Sequence, residues 1–227
     1  MSQADNHLHM AVDTGGTFTD VAVRDADGKM SVWKLPSTPS APDDAVIEGV
    51  QGALKRIDRS PEELTRFVHG STVATNTVIT RDGARVGMVT TQGFRDLLEI
   101  AHQARPAIYD QHQRRPDPLI PREWIMEATE RMGADGEIST ALDEDALQDT
   151  VQQLADHDLD VIVVSFLNAY VNSEHEVRAA ELIREANVAD HVVAATTISA
   201  EMREYERSST AAINAYVQPK ITNYFRR

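Results

Sequence analysis

The sequence predicts an α/β domain, and three observations lead to this prediction. Strand-like and helix-like segments alternate along most of the 227 residues, which is typical of α/β folds. Three strand-like segments follow one another near the start, at residues 9–12, 19–24 and 30–34, and they predict an antiparallel meander. Hydrophobic residues make up 41% and charged residues 26% of the chain, so it can bury a core of ordinary size.

The elements after the meander are predicted from their periodicity. Asp43 and Asp44 can cap a helix that reaches about residue 57, because one face of this segment is apolar. Residues 66–69 and 85–90 are predicted strands, with a helix at about 72–81 between them. Beyond residue 142 we expect a helix at 143–157, a strand at 160–166, a helix at 173–187, a strand at 191–194 and a helix at 200–224.

Two regions interrupt this regular order. The middle of the chain, about residues 101–142, is expected to be an irregular insertion, because it contains Pro106, Pro116, Pro118 and Pro121. A Gly-Ala-Asp-Gly run at 133–136 predicts a hairpin within it. Pro219 is expected to kink or break the last helix, because proline lacks the N–H that an inner helical position donates.

The order of these elements points to a particular kind of α/β fold. Three antiparallel strands followed by helix–strand alternation is the order of a ribonuclease-H-like lobe of the actin, sugar-kinase and heat-shock ATPase superfamily. We therefore expect a mixed sheet with helices on both faces, formed by residues 1–227 as a single lobe. In that superfamily a phosphate-binding loop joins the first two strands.

The run Asp13-Thr14-Gly15-Gly16-Thr17-Phe18-Thr19-Asp20 is such a loop by its composition. Two adjacent glycines allow backbone N–H groups to approach an anion closely and permit positive φ without strain. Threonine hydroxyls can donate to a phosphate, and aspartate oxygens suit Mg²⁺ or can position a water. The alternative is an ordinary tight hairpin with Gly-Gly at its corner.

Charge and composition exclude several functions. The formal net charge is −14, from 36 acidic and 22 basic residues, which disfavours binding to a nucleic-acid backbone. The absence of cysteine excludes disulfides, thiolate zinc sites and a cysteine nucleophile. No apolar run approaches the ~18 residues that a membrane span needs, and the polar start is not typical of a signal peptide, so a cytoplasmic location is expected.

Six motifs occur in order along the chain. They are the glycine loop at 13–20, His-Gly-Ser-Thr-Val-Ala-Thr-Asn at 69–76, Thr-Thr-Gln-Gly-Phe-Arg-Asp at 90–96, Arg-Pro-Ala-Ile-Tyr-Asp at 105–110, Phe-Leu-Asn-Ala-Tyr at 166–170 followed by His-Glu at 175–176, and Glu-Tyr-Glu-Arg-Ser-Ser-Thr at 204–210. With these motifs the sequence resembles the N-terminal domain of the hydantoinase A and 5-oxoprolinase family, which includes N-methylhydantoinase A and homologous subunits of acetone and acetophenone carboxylases. The resemblance covers residues 9–225.

The resemblance implies an ATP-dependent enzyme that attacks a cyclic amide such as hydantoin or 5-oxoproline. ATP, with Mg²⁺ or another divalent cation, would phosphorylate the carbonyl oxygen, because an O-phosphate converts that oxygen into a leaving group. The carboxylase members apply the same activation to ketone enolates, and the loop does not distinguish these substrates. The resemblance also implies three kinds of partner: a second lobe (the hydantoinase A domain) that the chain lacks, a hydantoinase B-type subunit, and an oligomer.

The resemblance also suggests roles for individual residues. Asp13 is the expected metal ligand or water-orienting carboxylate, and Asp20 is a second catalytic candidate or a strand-end residue that bonds local backbone. The expected phosphate-binding residues are Gly15, Gly16, Thr17 and Thr19, and Thr19 or Asp20 is also expected to support the turn. The expected substrate-binding residues are His69, Thr72, Asn76 and Arg105. For His69, Thr72 and Asn76 the alternative is a helix cap beside a structural histidine; for Arg105, it is a surface ion pair.

Two other functions remain open from the sequence. A non-catalytic assembly module would use the surface of the lobe and the arginine-rich middle to bind a partner. A sugar-kinase-like phosphotransferase would share the loop, although residues 69–76 do not resemble a sugar site. The chain is expected to be inactive as an isolated lobe, either as a fragment or as half of a split enzyme.

Overall fold

The computed structural model describes residues 7–38, 41–104, 109–110, 112 and 116–226. The chain divides into two compact units, one formed by Met1–Asp82 with Lys220–Arg227 and the other by Gly83–Pro219. Each unit contains its own four-stranded sheet. No helix in the described part of the chain has both the length and the apolar character that a membrane crossing would require.

The first unit contains a mixed sheet in the order β3-β2-β1-β4. The first three strands form the predicted antiparallel meander, and β4 pairs in parallel with β1. The strands are β1 (Leu8–Thr14), β2 (Phe18–Arg24), β3 (Met30–Pro36) and β4 (Leu64–Ser71), and the helices are α1 (Pro42–Arg56) and α2 (Val73–Thr80).

The core of the first unit lies between α1 and one face of this sheet. Every second residue of β1 is buried, among them Leu8, Met10 and Val12, as strand alternation requires. These side chains pack with Ala53 and Leu54 of α1. Strand β1, which leads into the glycine loop, is therefore held in place by a packed helix.

The second unit contains a parallel sheet in the order β10-β9-β5-β6. Its central strands are buried along almost their whole length, which is typical of parallel sheets covered on both faces. Helices α4 and α5 pack on one face, and Ser208 of α7 contacts Ser165 from the other. The elements are β5 (Val86–Thr91), α3 (Leu97–Ile100), β6 (Ile125–Ala128), β7 (Arg131–Met132), β8 (Ile138–Thr140), α4 (Glu144–Ala155), β9 (Leu159–Ser165), α5 (Glu174–Ala186), β10 (Ala189–Ala194), α6 (Ala195–Ile198) and α7 (Glu204–Arg226).

The structure changes two details of the sequence prediction and confirms a third. The middle segment is less separate from the sheet than predicted, because β6 forms its edge strand beside β5. The predicted hairpin at 133–136 is confirmed as the turn between β7 and β8, with Gly136 at φ +86°. Helix α7 continues through Pro219, so of the kink or break expected there, the break does not occur.

Candidate functional site

The glycine loop is the tip of the hairpin between β1 and β2. Asp13 pairs with Asp20 and Thr14 with Thr19 in the antiparallel register, so both strands extend up to the loop. The Gly15 N–H donates to the carbonyl oxygen of Phe18 at 3.0 Å and closes the turn. The predicted position of the loop between the first two strands is therefore confirmed.

The two glycines are needed for close contact and not for unusual dihedral angles. Neither of them has positive φ, so that part of the sequence expectation is wrong. A Cβ on Gly16 would lie 3.0 Å from Nδ2 of Asn76, and a Cβ on Gly15 would lie 3.1 Å from the Phe18 carbonyl oxygen. Both distances are tighter than ordinary carbon contacts, so side chains are excluded where the loop meets α2.

Ser37 holds the loop in place, and the sequence reasoning missed it. The Ser37 N–H donates to the Thr17 carbonyl at 2.9 Å, and its hydroxyl donates to the Gly15 carbonyl at 2.8 Å. The Thr19 hydroxyl lies 2.9 Å from Ser37 Oγ and is fully buried. Thr19 therefore supports the loop from inside the unit, which is one of the two roles expected from the sequence, and its buried hydroxyl is not presented to a ligand as the other role would require.

The two aspartates of the loop have different surroundings. Lys34 on the neighbouring strand binds both carboxylate oxygens of Asp20 at 2.8 Å, so this charge is already neutralised. The Asp13 side chain is exposed, and no hydrogen-bond donor within the described ranges reaches its carboxylate. A Cβ on Gly70 would lie only 3.1 Å from Oδ1 of Asp13, so the glycine leaves space for this carboxylate. Of the two aspartates in the loop, Asp13 is therefore the one whose carboxylate oxygens are available to a ligand.

His69 belongs to a small polar cluster at the carboxyl ends of β1 and β4. Its Nε2 lies 2.7 Å from the Tyr224 hydroxyl and 3.3 Å from Oγ1 of Thr14. Burial lowers the pKa of the His69 imidazole below its usual value, and the negative charge of Asp13 opposes this shift. Tyr224 is 155 residues away in the sequence, so no local pattern could have indicated this contact.

The lowered pKa of His69 predicts a pH dependence of stability. The unfolded chain binds a proton at this side chain at a higher pH than the folded chain, so the contribution of His69 is complete above pH ~6.5. It decreases as the pH falls below that value towards the lower folded-state pKa. Urea unfolding at pH 7.5 and pH 5.5 should show a smaller loss for His69→Gln than for the wild type. An equal loss in both proteins, or a His69 NMR titration at or above the usual pKa, would contradict this expectation.

The start of α2 contributes polar groups next to the loop. Both the backbone N–H and the hydroxyl of Thr72 donate to the Thr14 carbonyl, at 3.0 and 3.3 Å. The Asn76 amide donates to the Thr72 hydroxyl at 3.3 Å, so the two residues share one helix face as their spacing indicates. Thr72 thereby connects α2 to β1 by hydrogen bonds, and the Asn76 side chain lies next to Gly16.

A cavity of about 560 Å³ lies on the α2 side of the loop, within the first unit. Its volume is within the range of small-molecule sites. Of the residues expected from the sequence, four line it: Gly15, Gly16, Thr17 and Asn76. Asp13 does not line it, because strand alternation turns the Asp13 side chain to the opposite face of the sheet. Arg105 lies outside the described residues.

The motifs near residues 166–176 and 204–210 have a structural role in the second unit. Glu176 and Arg207 are fully buried, and they form an ion pair at 2.9 Å. The Glu176 carboxylate also accepts from the N–H groups of Phe166 and Thr196, at 2.9 and 2.7 Å. Arg207 additionally pairs with Glu204, as the spacing on the helix indicates. The network fixes the turn that follows β9.

Comparisons with known proteins agree with this fold. The family model described as the hydantoinase/oxoprolinase N-terminal region matches residues 9–187. The chain is 31% identical to caprolactamase subunit alpha of Pseudomonas jessenii and 32% identical to the acetophenone carboxylase gamma subunit of Aromatoleum aromaticum. These matches cover 96% and 93% of this chain but only 32% and 31% of the relatives.

A solved structure shows the same architecture. The crystal structure of the ATP-dependent caprolactamase from Pseudomonas jessenii superposes with a TM-score of 0.87 at 30% identity, over 96% of this chain and 33% of that one. The predicted α/β lobe is therefore confirmed. The chain spans about a third of the length of the relatives that it matches.

Proposed function

The chain belongs to the hydantoinase/oxoprolinase family and corresponds to the N-terminal region of that family, and we propose that it binds nucleotide phosphate. The phosphate would be that of ATP, in an ATP-dependent enzyme that opens a cyclic amide. The observation that supports this most is the glycine loop, which Ser37 anchors through two hydrogen bonds and in which a Cβ on Gly16 would crowd Asn76. An anchored loop of this kind presents backbone donors to an anion without reorganisation. A relative named as a caprolactamase supports the substrate class, because caprolactam is a cyclic amide.

In this proposal the loop residues bind the phosphate. The backbone N–H groups of Gly16 and Thr17 donate to phosphate oxygens, since neither of them is used within the described part of the chain. The Asp13 carboxylate suits a divalent cation that also binds phosphate and water, because Mg²⁺ usually takes only one or two carboxylates from a protein. This fits a site where, within the described ranges, no three His, Cys, Asp or Glu side chains converge on one metal position.

The chemistry requires activation of a poor electrophile. Amide resonance makes the carbonyl carbon unreactive, and ATP supplies a phosphoryl group that turns the oxygen into a leaving group. In this proposal Asn76 contacts the bound ligand, whereas His69 and Thr72 keep the ends of β1, β4 and α2 in position. Arg105 remains a proposed substrate contact that rests on its motif alone.

A ketone carboxylase subunit is the second candidate, favoured by the 32% identity to the acetophenone carboxylase gamma subunit. Phosphorylation of an enolate oxygen needs the same loop and the same metal ligand. The two candidates differ in their substrate and in the partner subunits that complete the enzyme. For each candidate, the substrate and the partner subunits are therefore part of what is proposed.

A chimera can test the function and separate the candidates. This chain would replace the matching third of caprolactamase subunit alpha, and the complex would be assembled with its natural partner subunit. We expect ATP hydrolysis that increases when caprolactam, hydantoin or 5-oxoproline is added. Stimulation only by acetophenone with bicarbonate would support the carboxylase candidate. A folded, assembled chimera that none of these compounds stimulates would contradict both.

A further inference from the structure

The sheet of the first unit has an outer face, opposite to the face that packs on α1, and an apolar row crosses it. Ala11 of β1 and Ala22 of β2 are paired in the middle of this face. Val32 of β3 is paired with Ala22, and Val68 of β4 is paired with Ala11. These four residues form a continuous row over all four strands. The two valines remain 67% and 48% exposed.

This pattern is not typical of a sheet face that only contacts water. Such a face is usually polar along the whole of each strand. On the outer face, the outward side chain in the middle of every strand is apolar, and polar residues lie only towards the strand ends. A continuous exposed apolar surface of this kind indicates that another element covers it.

The shape of the apolar row favours a helix as the covering element. Neighbouring strands lie ~4.8 Å apart, so the valines on the two edge strands are about 14 Å apart, with the two alanines between them. A helix with its side chains is about 10–12 Å wide and therefore fits between the valines, along β1 and β2. The small alanine side chains allow its backbone to approach the sheet closely.

Two arginines beside the apolar row favour one orientation of this helix. Arg24 and Arg66 lie on either side of His9 in the strand register, near the amino end of β1. Neither guanidinium group has a hydrogen bond or an ion pair among the residues that the structure describes. The last carbonyl groups of a helix lack internal donors and carry partial negative charge, so the two arginines favour its carboxyl end.

We infer that the outer face of the first sheet binds an amphipathic helix that the family's enzymes supply from outside their N-terminal region. The carboxyl end of this helix lies over Arg24 and Arg66, and its apolar face covers the apolar row. The chain spans about a third of the caprolactamase subunit, so the remaining two thirds of such an enzyme can supply the helix. The inference rests on family membership and depends neither on the nucleotide nor on the substrate.

The absence of cysteine allows the outer face to be probed one position at a time. Val32→Cys and Val68→Cys place a thiol on the outer face, and Gln51→Cys places one on the exposed side of α1 as a control. Alkylation by N-ethylmaleimide would be followed by peptide mass spectrometry, in the 227-residue chain and in the caprolactamase chimera. We expect alkylation at least tenfold slower in the chimera at the two outer-face positions, and an unchanged rate at Gln51→Cys.

A charge reversal tests the orientation of the helix. Arg66→Glu and Lys55→Glu are matched, because both side chains are exposed and neither has a partner within the described ranges. In the chimera that carries Val32→Cys, Arg66→Glu should speed alkylation several-fold, since glutamate repels the carboxyl end of a helix. Lys55→Glu, on α1, should leave the rate unchanged. Neither change should alter the rate in the 227-residue chain, and urea unfolding would confirm that each variant is folded.

Three results would overturn the inference: equal alkylation of the outer face in the chimera and the 227-residue chain, equal slowing at all three cysteines, or protection in the 227-residue chain that dilution removes. The last result would mean that a second copy covers the face. If the chimera does not fold, the same cysteines at the aligned positions of caprolactamase subunit alpha give the same test. ATP turnover is not measured, so the proposed function and this inference can fail independently.

Discussion

Replacing Arg207 by methionine is expected to lower the free energy of unfolding of the second unit by about 3–5 kcal/mol. The change removes the guanidinium group that neutralises the fully buried Glu176. An unpaired carboxylate in the interior is far more costly than the lost ion pair, because it loses its hydration without compensation. The expected effect is therefore a large fraction of the stability of a domain of this size.

A matched control is available on α5. Arg178 pairs with Glu144 through two hydrogen bonds of 2.8 Å, but both side chains are 43% exposed. Arg178→Met should therefore change the stability only slightly, since water solvates the remaining carboxylate. The two replacements are chemically identical, so their difference reports the burial of the ion pair.

The measurement can be confined to the second unit. The chain has two tryptophans, Trp33 in the first unit and Trp124 in the second. In a Trp33→Phe background, the fluorescence of Trp124 reports the unfolding of the second unit during urea titration. If Arg207→Met shifts the urea midpoint no more than Arg178→Met does, the buried network does not stabilise the unit as described.

Replacing Asp13 by asparagine is expected to lower ATP turnover of the caprolactamase chimera by about a hundredfold, comparable with the loss of one electrostatic contact in an active site. Asparagine keeps the size of the side chain and removes the negative charge that a divalent cation requires. The Asp13 carboxylate has no donor among the residues that the structure describes, so it is available for that cation.

Asp20→Asn is the control, and the comparison decides between the two aspartates. Asp20 already binds Lys34 on the neighbouring strand, so its replacement should leave turnover close to that of the wild type. The measurement is steady-state ATP hydrolysis at saturating caprolactam over a range of Mg²⁺ concentrations. A large loss with Asp20→Asn and little change with Asp13→Asn would reverse the proposed assignment.

The regular elements could largely be predicted from local patterns. Strand alternation at residues 8–14 and the apolar run of β9 are visible in the sequence, because each pattern reflects burial on one or both faces of a sheet. The short strand β6 was missed, since four residues without alternation become a strand only by pairing with β5. The sequence left open whether Pro219 would kink or break the last helix, and the structure excludes the break.

The candidate site could be predicted only in part. The loop and Asn76 were found because glycine, threonine and asparagine occur in a recognisable order. Ser37 and Tyr224 were missed because their contacts join distant positions. Ser37 bonds to Gly15, which is 22 residues away, and Tyr224 bonds to Thr14, which is 210 residues away. The sequence offered both Asp13 and Asp20 as catalytic candidates, with Asp13 preferred as the metal ligand, but it gave no sign that Lys34 pairs with Asp20.

The sequence by itself determined the family, the α/β class and the position of the glycine loop, because these depend on residue order and local periodicity. Only the tertiary structure decided which groups surround the loop. The burial of Thr19, the pairing of Asp20 and the approach of Lys220 to Asp82 all result from contacts between distant segments. Such contacts form when helices and strands pack against one another. Periodicity shows which face of an element is buried, but it does not show which distant side chains meet there.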